Sequence, residues 1–151
     1  MLCRLLYVSR ISPEAGSRIA GTMEDILVVS ARRNRADAIT GFLLADGESF
    51  VQVLEGPEAR VIACYERIAT DGRNCDARLR LLTPIDHRRF PRWSMCGLRL
   101  SEADDTLLSP SDIRFDLVDA EAGALLQHLE GIALRHASQL DAAHERIASA
   151  S

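Results

Sequence analysis

The stretch ITGFLLADGESFVQVLEGP, residues 39–57, has two apolar runs on either side of an Asp-Gly pair. Asp-Gly is a strong signal for a tight β-hairpin, because both residues accept the positive φ angles that such a turn requires. The runs therefore predict two strands, at 39–45 and 49–55. Both faces of the second run are apolar, which predicts a central strand that carries Gln52 inside the sheet.

Around this hairpin the sequence predicts two helices and three more strands. The first helix is predicted at 17–33 from an apolar stripe at helical spacing, and the second at 58–70, after the strand-breaking Gly56-Pro57. The order β-α-β-β-α-β-β is that of a ferredoxin-like α+β sheet with one additional strand and both helices on one face. The further strands are predicted at 2–9, 77–85 and 92–100.

A third layer is predicted from the C-terminal part of the chain. Two helices leave the opposite face of the sheet uncovered, and an apolar stripe with helical period runs from Leu125 to Ile147. We therefore expect a core domain at 1–100 and a helical extension at 101–151 that covers this face, directly or through a second subunit. The stripe fits one long helix or two helices with a break near Gly131. A homodimer is the predicted resting state.

Composition restricts the classes of protein to which this chain can belong. Its 151 residues are 47% hydrophobic and 26% charged, which is typical of a globular domain. A net charge of −4 and an aromatic content of 5% argue against an RNA-binding sheet or another nucleic-acid partner. No apolar run is long enough to span a membrane. The four cysteines form no C-x-x-C pair and have no histidine at metal-ligand spacing, which predicts reduced thiols in a cytoplasmic protein.

Four polar or aromatic features each have an ordinary structural explanation. Tyr7 and Gln52 lie in predicted strands, where a mutual hydrogen bond would satisfy the buried hydroxyl and amide. Asn34 is placed to cap the first helix, and residues 71–74 are typical of a solvated turn. The stretch 93–95 is typical of plain core in the last strand.

A shared ligand explains these features together. Asn34 and the 71–74 turn follow the two helices that cover one sheet face, and Tyr7 and Gln52 point from the sheet into the gap between those helices. A flat heteroaromatic molecule with donors and acceptors along one edge fits such a gap.

Five motifs, in this order, resemble the BLUF family of blue-light sensors that use FAD. The resemblance covers roughly residues 1–97. The motifs are LLYVS at 5–9, N-x4-ITG at 34–41, FVQVLEGP at 50–57, I-x-x-D-x-R at 68–73 and R-R-F-x-x-W-S-M at 88–95.

The resemblance implies a photoreceptor, not an enzyme, with FAD held between the two helices. Tyr7 matches the family's electron- and proton-donating tyrosine. Gln52 matches the glutamine that bridges this tyrosine to the flavin and rearranges under blue light, which shifts the flavin absorption to the red. Asn34 matches the asparagine that binds the polar edge of the ring. Trp93 and Met95 match a pair on the fifth strand that responds to the glutamine and relays the signal.

Other matches concern the walls of the flavin site. Asp71 and Arg73 match contacts around the C2 carbonyl side of the ring, and Asn74 stands where many family members have histidine. The loop 11–18 is longer than is usual in the family. The remaining cofactor-binding matches are the ring-packing positions Ile26, Phe50, Leu54 and Ile68 and the further flavin contacts Ser9 and Arg32.

The resemblance also sets expectations for output. It is to the short type without a fused output domain, which acts on an unidentified downstream effector protein through its helical tail. Two alternatives stay open: a flavin-dependent redox enzyme, and an acylphosphatase-like hydrolase on the same fold. The hydrolase would need a phosphate-binding loop, and ISPEAGS at 11–17 is not a convincing one. FAD rather than FMN follows from the resemblance alone.

Overall fold

A computed structural model describes residues 1–46, 48–99 and 121–149, and it is built around one five-stranded sheet. The strands are β1 at Leu2–Ile11, β2 at Thr40–Asp46, β3 at Ser49–Pro57, β4 at Asn74–Pro84 and β5 at Gly97–Arg99. Their order across the sheet is β4-β1-β3-β2-β5. All neighbours are antiparallel except β2 and β5, which are parallel. This confirms the predicted α+β sheet with an additional strand.

The helices flank the sheet on both faces. The predicted loop at 11–18 contains a short helix, which Ser12 caps by accepting a hydrogen bond from the backbone N–H of Ala15. The C-terminal stripe forms two helices, and the break is at His136 rather than near Gly131, which lies inside the first of them. The helices are α1 at Pro13–Gly16, α2 at Ile19–Ala36, α3 at Glu58–Ala69, α4 at Ala122–Arg135 and α5 at Ala137–Ser149.

The β2–β3 hairpin forms the centre of the sheet, as predicted. Asp46 pairs with Ser49 across its end, although the turn residue Gly47 lies outside the described residues. Nearly every side chain of β3 is buried, because β1 and β2 flank it and helices cover both of its faces. Gly41 is required here, since a Cβ at this position would collide with the backbone of Val53.

Two hydrophobic cores lie on opposite faces of the sheet. The first packs sheet residues such as Leu5 and Leu54 against helices α2 and α3. The second packs Phe42 and its neighbours against Leu125 and Leu129 of α4 and Leu140 of α5. The helical extension therefore covers the second face directly, within one chain.

The predicted fifth strand at 92–100 is mostly wrong, because Gly97–Arg99 is the only β-strand within 92–99, the part of it that the structure describes. Gly41 N–H donates to the carbonyl of Trp93, and Leu43 N–H donates to that of Cys96. The two donors are two residues apart on β2, whereas the two acceptors are three residues apart on the neighbouring segment. That segment therefore contains one extra residue, which forms a bulge. Trp93 and Met95 accordingly precede the strand instead of lying on it.

Helix α2 also differs from its prediction in a way that affects Asn34. The helix continues to Ala36 and its C-cap is Asp37, so Asn34 lies in the last helical turn and is not the cap. Ala38 takes the positive φ of 58° that ends the helix. The amide of Asn34 is therefore free to make tertiary hydrogen bonds.

Candidate functional site

A partly open cavity of about 100 Å³ lies between α2 and α3, above β1 and β3. Most of the predicted cofactor-binding residues line it. They are Ile26, Asn34, Phe50, Gln52, Ile68, Asp71, Arg73 and Asn74, and the predicted photoactive Tyr7 lines the cavity with them.

Three side chains on the floor of the cavity form a hydrogen-bonded chain. Tyr7 and Gln52 face each other across β1 and β3, and both are buried. The Tyr7 hydroxyl donates to Gln52 Oε1 at 2.6 Å, and Gln52 Nε2 donates to Met95 Sδ at 3.1 Å. The predicted Tyr–Gln hydrogen bond is thus confirmed, and Met95 Sδ accepts a second hydrogen bond from the amide nitrogen of Gln52.

The phenol of Tyr7 is held in its neutral form. Burial raises its pKa far above the usual value near 10, and the neighbouring Cys64, Tyr65 and Asp71 raise it further. The rings of Tyr7 and Tyr65 are 5.4 Å apart between centroids. Since a neutral phenol retains its proton, Tyr7 keeps a hydrogen to give to a neighbour in the cavity.

Asn34 connects the cavity wall to the bulged segment before β5. Its Nδ2 donates to the carbonyl oxygen of Ser94 at 2.9 Å, and its Oδ1 accepts a long contact of 3.9 Å from the Cys64 thiol. An amide has two N–H donors and an oxygen with two lone pairs. One donor and part of the oxygen's capacity are thus left for a polar ligand edge.

The turn after α3 supplies charge and an unsatisfied acceptor. Arg73 forms a bidentate pair with Asp71, with contacts of 2.6 and 2.9 Å, and these hydrogen bonds lower the pKa of the Asp71 carboxyl. Asn74 Nδ2 donates to the carbonyls of Ile68 and Asp71. Asn74 Oδ1 is buried and has no partner among the described residues. A buried acceptor without a partner is costly, so it fits a ligand donor or a water at this point.

Five predicted site residues do not line the cavity. Ser9 is buried, and its hydroxyl has no partner in the part of the chain that the structure describes. Leu54 is buried in the core, and Arg32 is exposed on α2. Met95 reaches the cavity through Gln52. Trp93 packs on Phe42 in the opposite core, and its indole donates to Asp141 of α5 at 2.8 Å.

Several lining residues were not predicted from the sequence, although helical geometry could have supplied those on α2 and α3. Positions 26, 29, 30 and 33 share one face of α2, so the cavity meets Arg33 and not Arg32. Positions 64, 67 and 68 do the same on α3. The missed residues are Val29, Ser30, Arg33, Leu43, Cys64 and Arg67.

Comparison with known proteins identifies related chains. The family model described as "BLUF: Sensors of blue-light using FAD" matches residues 2–96. The Escherichia coli (strain K12) blue light- and temperature-regulated antirepressor BluF is 35% identical over 114 residues, which are 74% of this chain and 28% of BluF. The chain thus spans little more than a quarter of that curated relative.

Two solved structures are similar over most of both chains. The photo-activated state of BlsA superimposes with a TM-score of 0.75 at 26% identity and covers 87% of this chain and 94% of BlsA. The dark state of BlrB, described as a BLUF protein, gives a TM-score of 0.67 at 31% identity and covers 85% of this chain and 92% of BlrB. Among the described residues, no helix is long and apolar enough to cross a membrane.

Proposed function

Because the chain belongs to the BLUF family, we propose that it is a blue-light sensor that binds FAD between α2 and α3. The observation that carries this proposal is the hydrogen-bonded chain Tyr7–Gln52–Met95 on the cavity floor. It connects a neutral proton donor, an amide that both accepts and donates, and a thioether acceptor. This arrangement suits a hydrogen-bond switch better than it suits a site for hydrolysis.

The residues that line the cavity support a flavin ring as its ligand. Asn34 and Asn74 would offer donors and acceptors to the polar edge of the ring, and Asn74 Oδ1, which has no partner among the described residues, would accept a hydrogen bond from that edge. Ile26 and Ile68 stand on the two helices that would enclose the ring faces. Arg73 is paired with Asp71, so Arg33 and Arg67 are the lining residues that would give the cavity a positive charge, which suits the phosphates of FAD.

Held by Asn34 and by the walls of α2 and α3, a flavin would supply the absorption of blue light and an acceptor for an electron and a proton. Tyr7 would be the donor, because its hydroxyl is protonated and Tyr7 lines the cavity. Loss of the phenolic proton removes the donor that holds Gln52 Oε1. The amide of Gln52 is then released to rotate or tautomerise.

Rotation of Gln52 has a consequence for Met95. In the observed orientation the amide makes two hydrogen bonds, one to each neighbour. After a half-turn, Oε1 would face Met95 Sδ, and a thioether has no hydrogen to donate. Met95 would therefore lose its hydrogen bond and change its packing. The two arrangements form the bistable element that a switch needs.

The signal would leave through the helical extension, since the segment that contains Met95 contacts α5. We propose that the chain is a cytoplasmic homodimer whose extension acts on a downstream effector protein. The chain would carry no catalysis of its own. The relative BluF is named as an antirepressor, which supports signalling by protein contact.

Absorption spectroscopy of the purified chain reconstituted with FAD tests the proposal. We expect a flavin band that shifts to the red under blue light and returns in the dark. A flavin-dependent redox enzyme would instead show bleaching without a reversible shift, and an acylphosphatase-like hydrolase would not retain flavin. Parallel reconstitution with FMN, followed by gel filtration, measures the preference between the two cofactors.

A further inference from the structure

Ser94, in the bulge before β5, makes hydrogen bonds both to the cavity wall and to helix α5. Its carbonyl oxygen accepts from Asn34 Nδ2 at 2.9 Å. Its backbone N–H donates to His144 Nε2 on α5 at 3.3 Å, and its hydroxyl lies 3.0 Å from the same nitrogen. One residue thus links the cavity wall to the C-terminal helix.

The donor in this contact fixes the protonation state of the imidazole. A backbone N–H can only donate, so Nε2 of His144 must present its lone pair, and the ring proton must be on Nδ1. A proton on Nε2 would face the Ser94 N–H. The hydroxyl of Ser94 could turn to accept that proton, but the backbone donor would lose its partner.

The surroundings of His144 favour the neutral ring. Partial burial lowers its pKa below the usual value near 6.5, and the positive charge of Arg35 on α2 lowers it further. Asp141 and Glu145, on the same helix as His144, act in the opposite direction. Asp141 is itself paired with Arg92 and with the indole of Trp93, which reduces its effect.

We propose that neutral His144 couples the cavity to helix α5 through Ser94, and that protonation of His144 uncouples the helix. The coupling rests on the proposed function of the cavity, whereas the contact between Ser94 and His144 does not. A ligand held by Asn34 restrains Ser94, and Ser94 in turn favours the neutral ring. Linkage is reciprocal, so loading the cavity with FAD must lower the pKa of His144.

The direction of the pH effect follows from the sign of the shift. The folded chain binds this proton more weakly than the unfolded chain, so the contact contributes fully above about pH 6.5. The contribution falls as the pH drops from there to the lower pKa of the folded state. Acid therefore loosens α5, and a blue-light signal would reach this helix less well.

Nuclear magnetic resonance of ring nitrogens tests the contact itself. In the flavin-free chain, we expect His144 to be the Nδ1–H tautomer and to titrate below a histidine-containing model peptide, whose pKa is about 6.5. FAD should lower the pKa of His144 further. An Nε2–H tautomer, or titration together with the model peptide, would overturn the contact. A pKa that FAD binding leaves unchanged would overturn the coupling.

Hydrogen exchange of the α5 amides, as protection factors in the dark and in blue light, tests the consequence. In the wild type, protection should fall about fivefold between pH 7.5 and a pH below the His144 pKa that the resonance titration measures, the equivalent of one net hydrogen bond. H144Q retains an acceptor that does not titrate, so its protection should not change. H144L should be uncoupled at both pH values, and H87Q should behave as wild type. Equal pH dependence in wild type and H144Q would contradict the proposal.

Absence of flavin binding would instead refute the proposed function. The tautomer and the pKa of His144 in the flavin-free chain would still be decided by the same measurements. The two failures are therefore distinguishable.

Discussion

Replacement of Asn34 by alanine separates a binding role of this amide from a purely structural one. The side chain is almost fully buried and donates to the carbonyl of Ser94 at 2.9 Å. Its removal leaves that carbonyl without its partner, which costs about 1–3 kcal/mol of unfolding free energy in the flavin-free chain. Urea denaturation measures this loss.

The same substitution removes hydrogen-bonding capacity from the cavity wall. If Asn34 also binds the polar edge of the flavin, a second cost of about 1–3 kcal/mol appears in the binding free energy, or roughly a 5- to 150-fold rise in Kd. Quenching of flavin fluorescence during a titration of protein measures this Kd. Gln127→Ala, which truncates an exposed amide on α4, is the control and should change neither quantity.

The two measurements together decide between the roles. A loss of stability with a Kd within twofold of wild type would refute a flavin contact at Asn34 and leave a structural hydrogen bond only. A loss of both is the result that the proposed site requires.

Three further predictions concern packing and titration. Leu129→Ala should lower the unfolding free energy by about 2–5 kcal/mol in urea denaturation, because Leu129 is fully buried under the sheet, whereas Leu134→Ala on the exposed side of α4 should have little effect. Thiol-reagent titration at pH 8 should find one reactive cysteine in the folded chain, the exposed Cys75, and four after denaturation, since burial raises the pKa of the other three thiols. Ultraviolet titration of the two phenols should show less ionisation in the folded than in the denatured protein at pH 10, since burial raises the pKa of both Tyr7 and Tyr65. The folded state holds protons that the unfolded state releases, so stability should fall as the pH rises above 10.

The parts of the fold set by local pattern were predictable. The Asp-Gly pair fixed the central hairpin, and the apolar faces around Gln52 indicated a strand buried on both sides. The stripe from Leu125 to Ile147 indicated the third layer, because the predicted sheet lacked a cover on one face. Each of these conclusions uses neighbours close in sequence.

The parts set by distant contacts were not predictable in this way. The bulge at 93–96 is held by partners on β2, α2 and α5, namely Gly41, Asn34 and His144, which are far apart in the chain. Local sequence therefore predicted a regular strand. The choice between Arg32 and Arg33 was within reach of the sequence, because Arg33 shares the helical face of the predicted contact Ile26 and Arg32 does not.

The light-minus-dark absorption spectrum of Tyr7→Phe, compared with Tyr65→Phe, tests the central claim most directly. Both changes remove one hydroxyl from neighbouring rings, and only that of Tyr7 donates to Gln52. We expect both variants to bind flavin, Tyr65→Phe to keep the reversible red shift, and Tyr7→Phe to lose it. A normal red shift in Tyr7→Phe would contradict the account.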